Sequence, residues 1–303
     1  MNNKQFKRQI KELKRFVSSD IDIIFISVFG SYNYDLQTPT SDIDWKLVYI
    51  PTLDDMIKRT PESEIVKVNN GQLEVMSIIR FVNELKAFEL PDLEVLFCKY
   101  QWINPEHEML FNTIKDIALD AIVNNKRLYA EKVIDTVKKI YERFVINKLI
   151  TYNPKKAYNI PRIHYLFNNL IENEVYDLIP SPEVKTRILS YKLGNVGKEQ
   201  ATLECCDIIQ KMESSMHELS NNLLNRFDER FDMLVKDVIV QNAFKVHQPP
   251  QPEQGVNTET EDKSAMITIM PMIRRNKADM LFTFTLTLCL IPFTVFAYLL
   301  FKI

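Results

Sequence analysis

The chain has 303 residues, 46% hydrophobic and 26% charged, and its 38 basic and 40 acidic side chains leave a net charge of -2. That hydrophobic content excludes wholesale disorder, and five glycines with four cysteines exclude a collagen-like or disulfide-scaffold protein. The near-neutral balance argues against stable binding of long DNA, where affinity comes from many cations neutralising phosphates. Cys98, Cys205, Cys206 and Cys289 show no C-x-x-C spacing and no signal peptide opens the chain, so the folded part is expected in a reduced cytosol.

Asp22 to Phe29 (DIIFISVF) predicts a buried strand, short and rich in β-branched and aromatic residues. Gly30 and Ser31 follow. A glycine between a strand and a helix start lets backbone approach closely and aims free N–H groups at a phosphate, and the Ser31 hydroxyl adds a donor. A second strand is predicted from Ser41 (SDIDWKLVYI), stopped by Pro51. Its period-2 alternation places Asp42, Asp44, Lys46 and Val48 on one face, and Ile43, Trp45, Leu47 and Tyr49 on the other. Two carboxylates side by side repel unless a cation lies between them. Hard oxygen ligands so arranged suit Mg²⁺ or Mn²⁺, and paired ions about 3.5–4 Å apart are the usual clamp for phosphoryl transfer.

A bare D-x-D is weak, and the chain holds its own control. Ser19-Asp20-Ile21-Asp22 is also S-D-I-D, but no glycine-serine pair precedes it. It reads as a structural cap or strand start.

Phe29-Gly30-Ser31, ten intervening residues, then Asp42-Ile43-Asp44 resembles the G-S…D-x-D signature of the DNA polymerase β-like nucleotidyltransferase superfamily. Tyr32, Asn33, Tyr34 and the S-D-I-D-x-K string are similar, more narrowly, to its bacterial and phage branch of predicted nucleotidyltransferases. The resemblance runs weakly across residues 20–215. It implies an α+β fold: a small mixed sheet with packed helices, then a helical domain. It also implies that Gly30, Ser31 and Lys46 attend the nucleotide's phosphates while Asp42 and Asp44 bind two divalent ions.

A third carboxylate is expected from a later strand, and Glu74 is the acid in Gln72-Leu73-Glu74-Val75-Met76. Its role would be to ligand the ion that activates the attacking hydroxyl, or to accept the proton. Ser77 reads as the N-cap of the helix that follows. Relatives often carry a glycine-asparagine-proline turn after that helix, whereas this chain reads Phe88-Glu89-Leu90-Pro91-Asp92. A helix over Leu93 to Phe97 is expected next.

Beyond residue 110 apolar residues recur at helical spacing. Between Lys138 and Arg162 seven basic residues face one acid, Glu142. Lys155, Asn159 and Arg162 share a face if one helix runs from Pro154 through Pro161. The family places basic side chains of its helical domain over the triphosphate, which points to Lys155, Lys156 and Arg162. His107, His164, His217 and His247 show no zinc-ligand spacing, and no P-loop sequence is present.

The pattern stops near residue 245. Residues 246–279 read as a polar, proline-containing linker and juxtamembrane segment, and Met280 to Phe301 is a run of 22 uncharged residues. As a helix at 1.5 Å per residue that run is about 33 Å long, enough to span a bilayer. Arg274, Arg275 and Lys277 precede it and Lys302 follows. The positive-inside rule then predicts a single-pass C-terminal anchor with the folded part cytoplasmic.

The sequence thus divides into a catalytic domain (1–110), a helical domain (111–245), a linker (246–279) and a transmembrane helix (280–301). The leading expectation is a metal-dependent nucleotidyltransferase using an NTP and releasing pyrophosphate. Its hydroxyl acceptor is left open among an RNA end, a protein and a small molecule. The competing reading is a non-catalytic scaffold of the same fold that holds nucleotide or RNA at the membrane. A D-x-D glycosyltransferase would need a longer α/β run than the 41 residues preceding Asp42.

Overall fold

The computed structural model describes residues 1–245 apart from positions 2, 18–20, 61, 70, 148, 150 and 221–226. The linker and the 280–301 span lie outside the described residues, as do Ser19 and Asp20 of the first S-D-I-D. Among the described residues no helix is long and apolar enough to cross a membrane.

Five strands form one mixed sheet in the order β3-β4-β2-β1-β5, with β1 Asp22–Phe29, β2 Asp44–Ile50, β3 Ser63–Val68, β4 Gly71–Ser77 and β5 Gln101–Ile103. β2 and β4 run parallel, and the other neighbours pair antiparallel. The alternation in β2 has a physical consequence on both sides of the sheet. Helix α1 (Asn3–Leu13) lays Ile10 and Leu13 over Ile43, Trp45 and Leu47, and Phe6 stacks on Trp45 at 6.0 Å. The opposite face, carrying Ile24, Phe25, Val48 and Met76, packs under the helices. Phe25 meets Phe81 and Phe111 edge-on at 5.4 and 5.1 Å, the geometry that aromatic quadrupoles favour.

The remaining helices are α2 (Leu53–Lys58), which buries no residue, and α3 (Ile78–Lys86), α4 (Leu90–Val95), α5 (Glu108–Asn124), α6 (Lys126–Tyr141), α7 (Pro154–Ala157), α8 (Asn159–Asn173), α9 (Pro182–Lys192), α10 (Lys198–His217) and α11 (Phe227–Lys245). Ser77 caps α3 by accepting the N–H of Arg80. One hydrophobic cluster runs from β1 through α3 and α4 into α5, α6, α8 and α10. Residue 110 therefore marks no break in the core. Each buried Leu, Ile or Phe contributes about 1.5–3 kcal/mol by leaving water.

Several boundaries differ from the sequence expectation. β2 begins at Asp44 rather than Ser41, because Asp44 pairs with Phe29, the last residue of β1. Residues 38–41 instead form a turn in which Ser41 Oγ accepts the N–H of Thr38 at 2.8 Å. Gly30–Tyr32 is a single 3-10 turn. Helix α4 starts at Leu90, with Pro91 in its first turn, where a missing N–H costs nothing. The segment from Pro154 through Pro161 is two helices, α7 and α8, separated at Tyr158. The short strands β3 and β5 had no strong sequence signal.

Candidate active site

The site forms where β1 ends and β2 begins. Gly30 adopts φ +74°, a conformation that disfavours any side chain, and a β-carbon there would lie 3.4 Å from Asp44 Oδ2. The turn's backbone is thereby held against the carboxylate. On the other side Gly71 opens β4 at φ +145°, where a β-carbon would meet the Ile43 carbonyl oxygen at 2.1 Å. Ile43 sits between the two aspartates, so this close approach fixes the D-x-D backbone.

Asp42 is exposed and Asp44 half-buried. Burial raises the pKa of Asp44, and the charge of Asp42 raises it further, while a backbone hydrogen bond from Gln72 and the charge of Lys156 pull it back. Two carboxylates that strain against each other suit a divalent cation, and they are hard oxygen donors.

Glu74 is placed otherwise than the sequence suggested. It lies opposite Lys46 in the parallel register of β2 and β4, with its carboxylate 3.1 Å from Lys46 Nζ. Lys46 is itself buried and sits 2.5 Å from Asp92 of α4. Among the described residues no group of three or more His, Cys, Asp or Glu side chains is gathered in metal-holding geometry. Lys46 therefore does not reach for phosphate. It neutralises two carboxylates in the interior, because an ammonium this buried requires such partners.

Arg162 is a second correction. Its guanidinium is buried, donates to Glu94 Oε1 at 2.6 Å and to Asn159 Oδ1 at 3.1 Å, and lies 4.1 Å from the Tyr34 ring centre. Burial pushes the Glu94 carboxyl up and Arg162 pulls it back. Arg162 joins α8 to α4 and to the end of the Gly30–Tyr34 turn, and only 7% of it is exposed.

Lys155 and Lys156, by contrast, are exposed on α7. Lys156 is close enough to lower the pKa of Asp44, and Lys155 lowers that of Lys192 after the larger effect of burial. Sequence reasoning missed Lys192. From the end of α9 its Nζ donates to the Leu36 carbonyl at 2.8 Å and to Ser41 Oγ at 3.4 Å, and it lies 5.3 Å from the Tyr158 ring centre. It thus grips the loop between the Gly-Ser turn and the D-x-D. No local pattern marks it, since its partners lie some 150 residues earlier.

Asp22, from the other S-D-I-D, has a structural partner: its carboxylate meets His107 Nε2 at 2.6 Å. Cys205 is buried, and neighbouring Cys206 is exposed.

Residues 8–101 match the family described as Nucleotidyltransferase domain. The chain carries a nucleotidyltransferase domain of the polymerase β-like superfamily. No curated protein matches the sequence. The nucleotidyltransferase domain runs from α1 to the start of β5, and contains Gly30, Ser31, Asp42, Asp44, Lys46 and Glu74 together with the Lys46 partner Asp92. That domain implies a transferase enzyme with an NTP as its substrate. Domains of this kind typically use a divalent metal. Lys155, Lys156, Arg162 and Lys192 lie beyond the matched residues.

Proposed function

We propose that the protein transfers a nucleoside monophosphate from an NTP to a hydroxyl acceptor, with Asp42 and Asp44 holding two Mg²⁺ or Mn²⁺ ions. The metal supplies charge neutralisation at the phosphates. Gly30 and Ser31 receive the β- and γ-phosphates, and Lys155 and Lys156 approach the triphosphate from α7. The acceptor oxygen forms a bond to the α-phosphorus, the bond to the bridging oxygen breaks, and pyrophosphate leaves. The hydroxyl proton passes to solvent, since Glu74 is held by Lys46. Positioning and charge neutralisation account for most of the rate in such in-line transfer.

The observation that carries this reading is the contact between Gly30 and Asp44, with Asp42 beside them, inside a nucleotidyltransferase domain. Residues 1–110 then act as the catalytic unit and 111–245 as the helical unit over the phosphates. The acceptor is an RNA end, a protein or a small molecule.

The uncharged run 280–301 serves in this reading as a C-terminal membrane anchor, with the folded part cytoplasmic; its composition and the basic residues before it support that.

One observation favours the second reading, a nucleotide- or RNA-holding scaffold: Glu74 is tied to Lys46 rather than turned to the aspartate pair.

The test supplies the full chain in mild detergent with Mg²⁺ or Mn²⁺, host lysate, and NTPs labelled at the α- or the γ-phosphate. Nucleotidyl transfer puts the α-label in an acceptor and the γ-label in pyrophosphate. Label from the γ-position in the acceptor would mean phosphoryl transfer instead, and metal-dependent NTP binding without any transfer would favour the scaffold.

A further inference from the structure

The outer face of α1 has no part in the nucleotide site, yet it is strongly charged. Lys4, Lys7, Arg8 and Lys11 of the helix and Arg15 just past its end are exposed and fall at spacings of three, four and seven, so they form one stripe. Lys14 flanks the stripe, its Nζ 3.3 Å from the Trp102 ring centre. Among the described residues the stripe's ion pair is Arg8 with Glu12, at 3.8 Å. The inner face is committed elsewhere: Phe6, Ile10 and Leu13 are packed on the sheet.

Like charges three and four residues apart destabilise a helix, so a stripe of this density is relieved by an extended anion laid along it. With a net charge of -2 overall, the chain is acidic once the stripe is set aside, so the positive charge is concentrated on this face. The contrast is local as well. On the sheet's other face a cleft of about 420 Å³ is lined by Glu62, Glu74, Glu84, Glu89 and Asp92 against Arg80.

We infer that the α1 stripe docks the folded part on an anionic bilayer. The occupant is argued from the chain outside the described residues, where the uncharged run 280–301 follows 34 linker residues, 246–279. At about 3.5 Å per residue those 34 residues cannot hold the folded part beyond roughly 120 Å from an anchored span. Contact between stripe and headgroups is then intramolecular, and modest electrostatic attraction suffices. Phe16 favours a bilayer over a nucleic acid: it is 46% exposed at the end of the stripe, where an apolar ring can enter the headgroup region. The inference rests on the anchor proposed above for its occupant, and the experiment separates the two.

The full chain is mixed with neutral phosphatidylcholine vesicles, with vesicles containing about 30% phosphatidylglycerol, or with tRNA and no vesicles. Acetylation rates of Lys4, Lys7 and Lys11 are read by mass spectrometry against exposed Lys67 and Lys198. Docking predicts that the α1 lysines react about tenfold more slowly on anionic vesicles than on neutral ones, and that about 0.5 M salt abolishes the difference. Flotation with both vesicle types but equal α1 rates would overturn the inference and leave the anchor standing. Protection on anionic vesicles without flotation on neutral ones would uphold it and remove the anchor. Protection by tRNA alone would overturn it in favour of a nucleic-acid surface.

Discussion

Lys46 and Glu74 face each other across parallel strands β2 and β4, with ammonium and carboxylate 3.1 Å apart. The pair sits one alternation step inward from Asp44, so the charge state of the interior and the geometry of the site are linked through one strand. Replacing Lys46 by Met leaves Glu74 and Asp92 without their shared cation. The expected cost is about 3–5 kcal/mol of stability, measured by urea denaturation, because an orphaned buried charge is left behind. A Lys46→Met variant with unchanged stability and only a raised KM for NTP would instead make Lys46 a phosphate ligand.

Asp92 sets a pH dependence. Burial raises its pKa to about 6 from the ordinary 3.8, against the opposing pull of Lys46. Between those values the folded protein keeps a proton that the unfolded chain has released, so this group favours folding at the acid end of the window and loses that contribution as pH rises through about 6. Asp92→Asn should flatten the stability profile between about pH 4 and pH 6, read from denaturation midpoints.

Arg162 and Glu94 should behave as a unit. Arg162→Met leaves Glu94 buried and unpaired and should cost about 3–5 kcal/mol, whereas Arg162→Met combined with Glu94→Leu should recover most of that loss. A double-mutant cycle in urea measures the coupling. Additive losses would mean that the two do not depend on each other.

Gly71 tests how tightly the D-x-D is held. Alanine there would meet the Ile43 carbonyl at 2.1 Å in a backbone conformation that L side chains rarely adopt. Gly71→Ala should lower stability by about 2 kcal/mol or more and weaken Mn²⁺ binding, since Ile43 must move between the two aspartates. Mn²⁺ titration by electron paramagnetic resonance, beside a thermal melt, checks both.

The core of the site was legible because its parts are local. A strand, a glycine turn and a second strand bring Gly30, Asp42 and Asp44 of the candidate site together within a short stretch of chain, and strand alternation assigned the faces of β2 correctly. What was not legible depends on distant partners. Lys46 and Arg162 look like free cations in the sequence, but Asp92 and Glu94 on α4 claim them, and no spacing rule connects residues that far apart. Lys192 was invisible for the same reason. The strands β3 and β5 escaped because short edge strands carry little hydrophobic pattern.

The most direct test of the central claim is pyrophosphate release from NTP by the full chain with Mg²⁺ or Mn²⁺ and host lysate, beside the double variant Asp42→Asn, Asp44→Asn. Release by the parent and none by the variant, with the thermal melt of the variant unchanged, is the predicted result. A folded double variant that still releases pyrophosphate at the parent's rate would contradict the assignment of the aspartate pair.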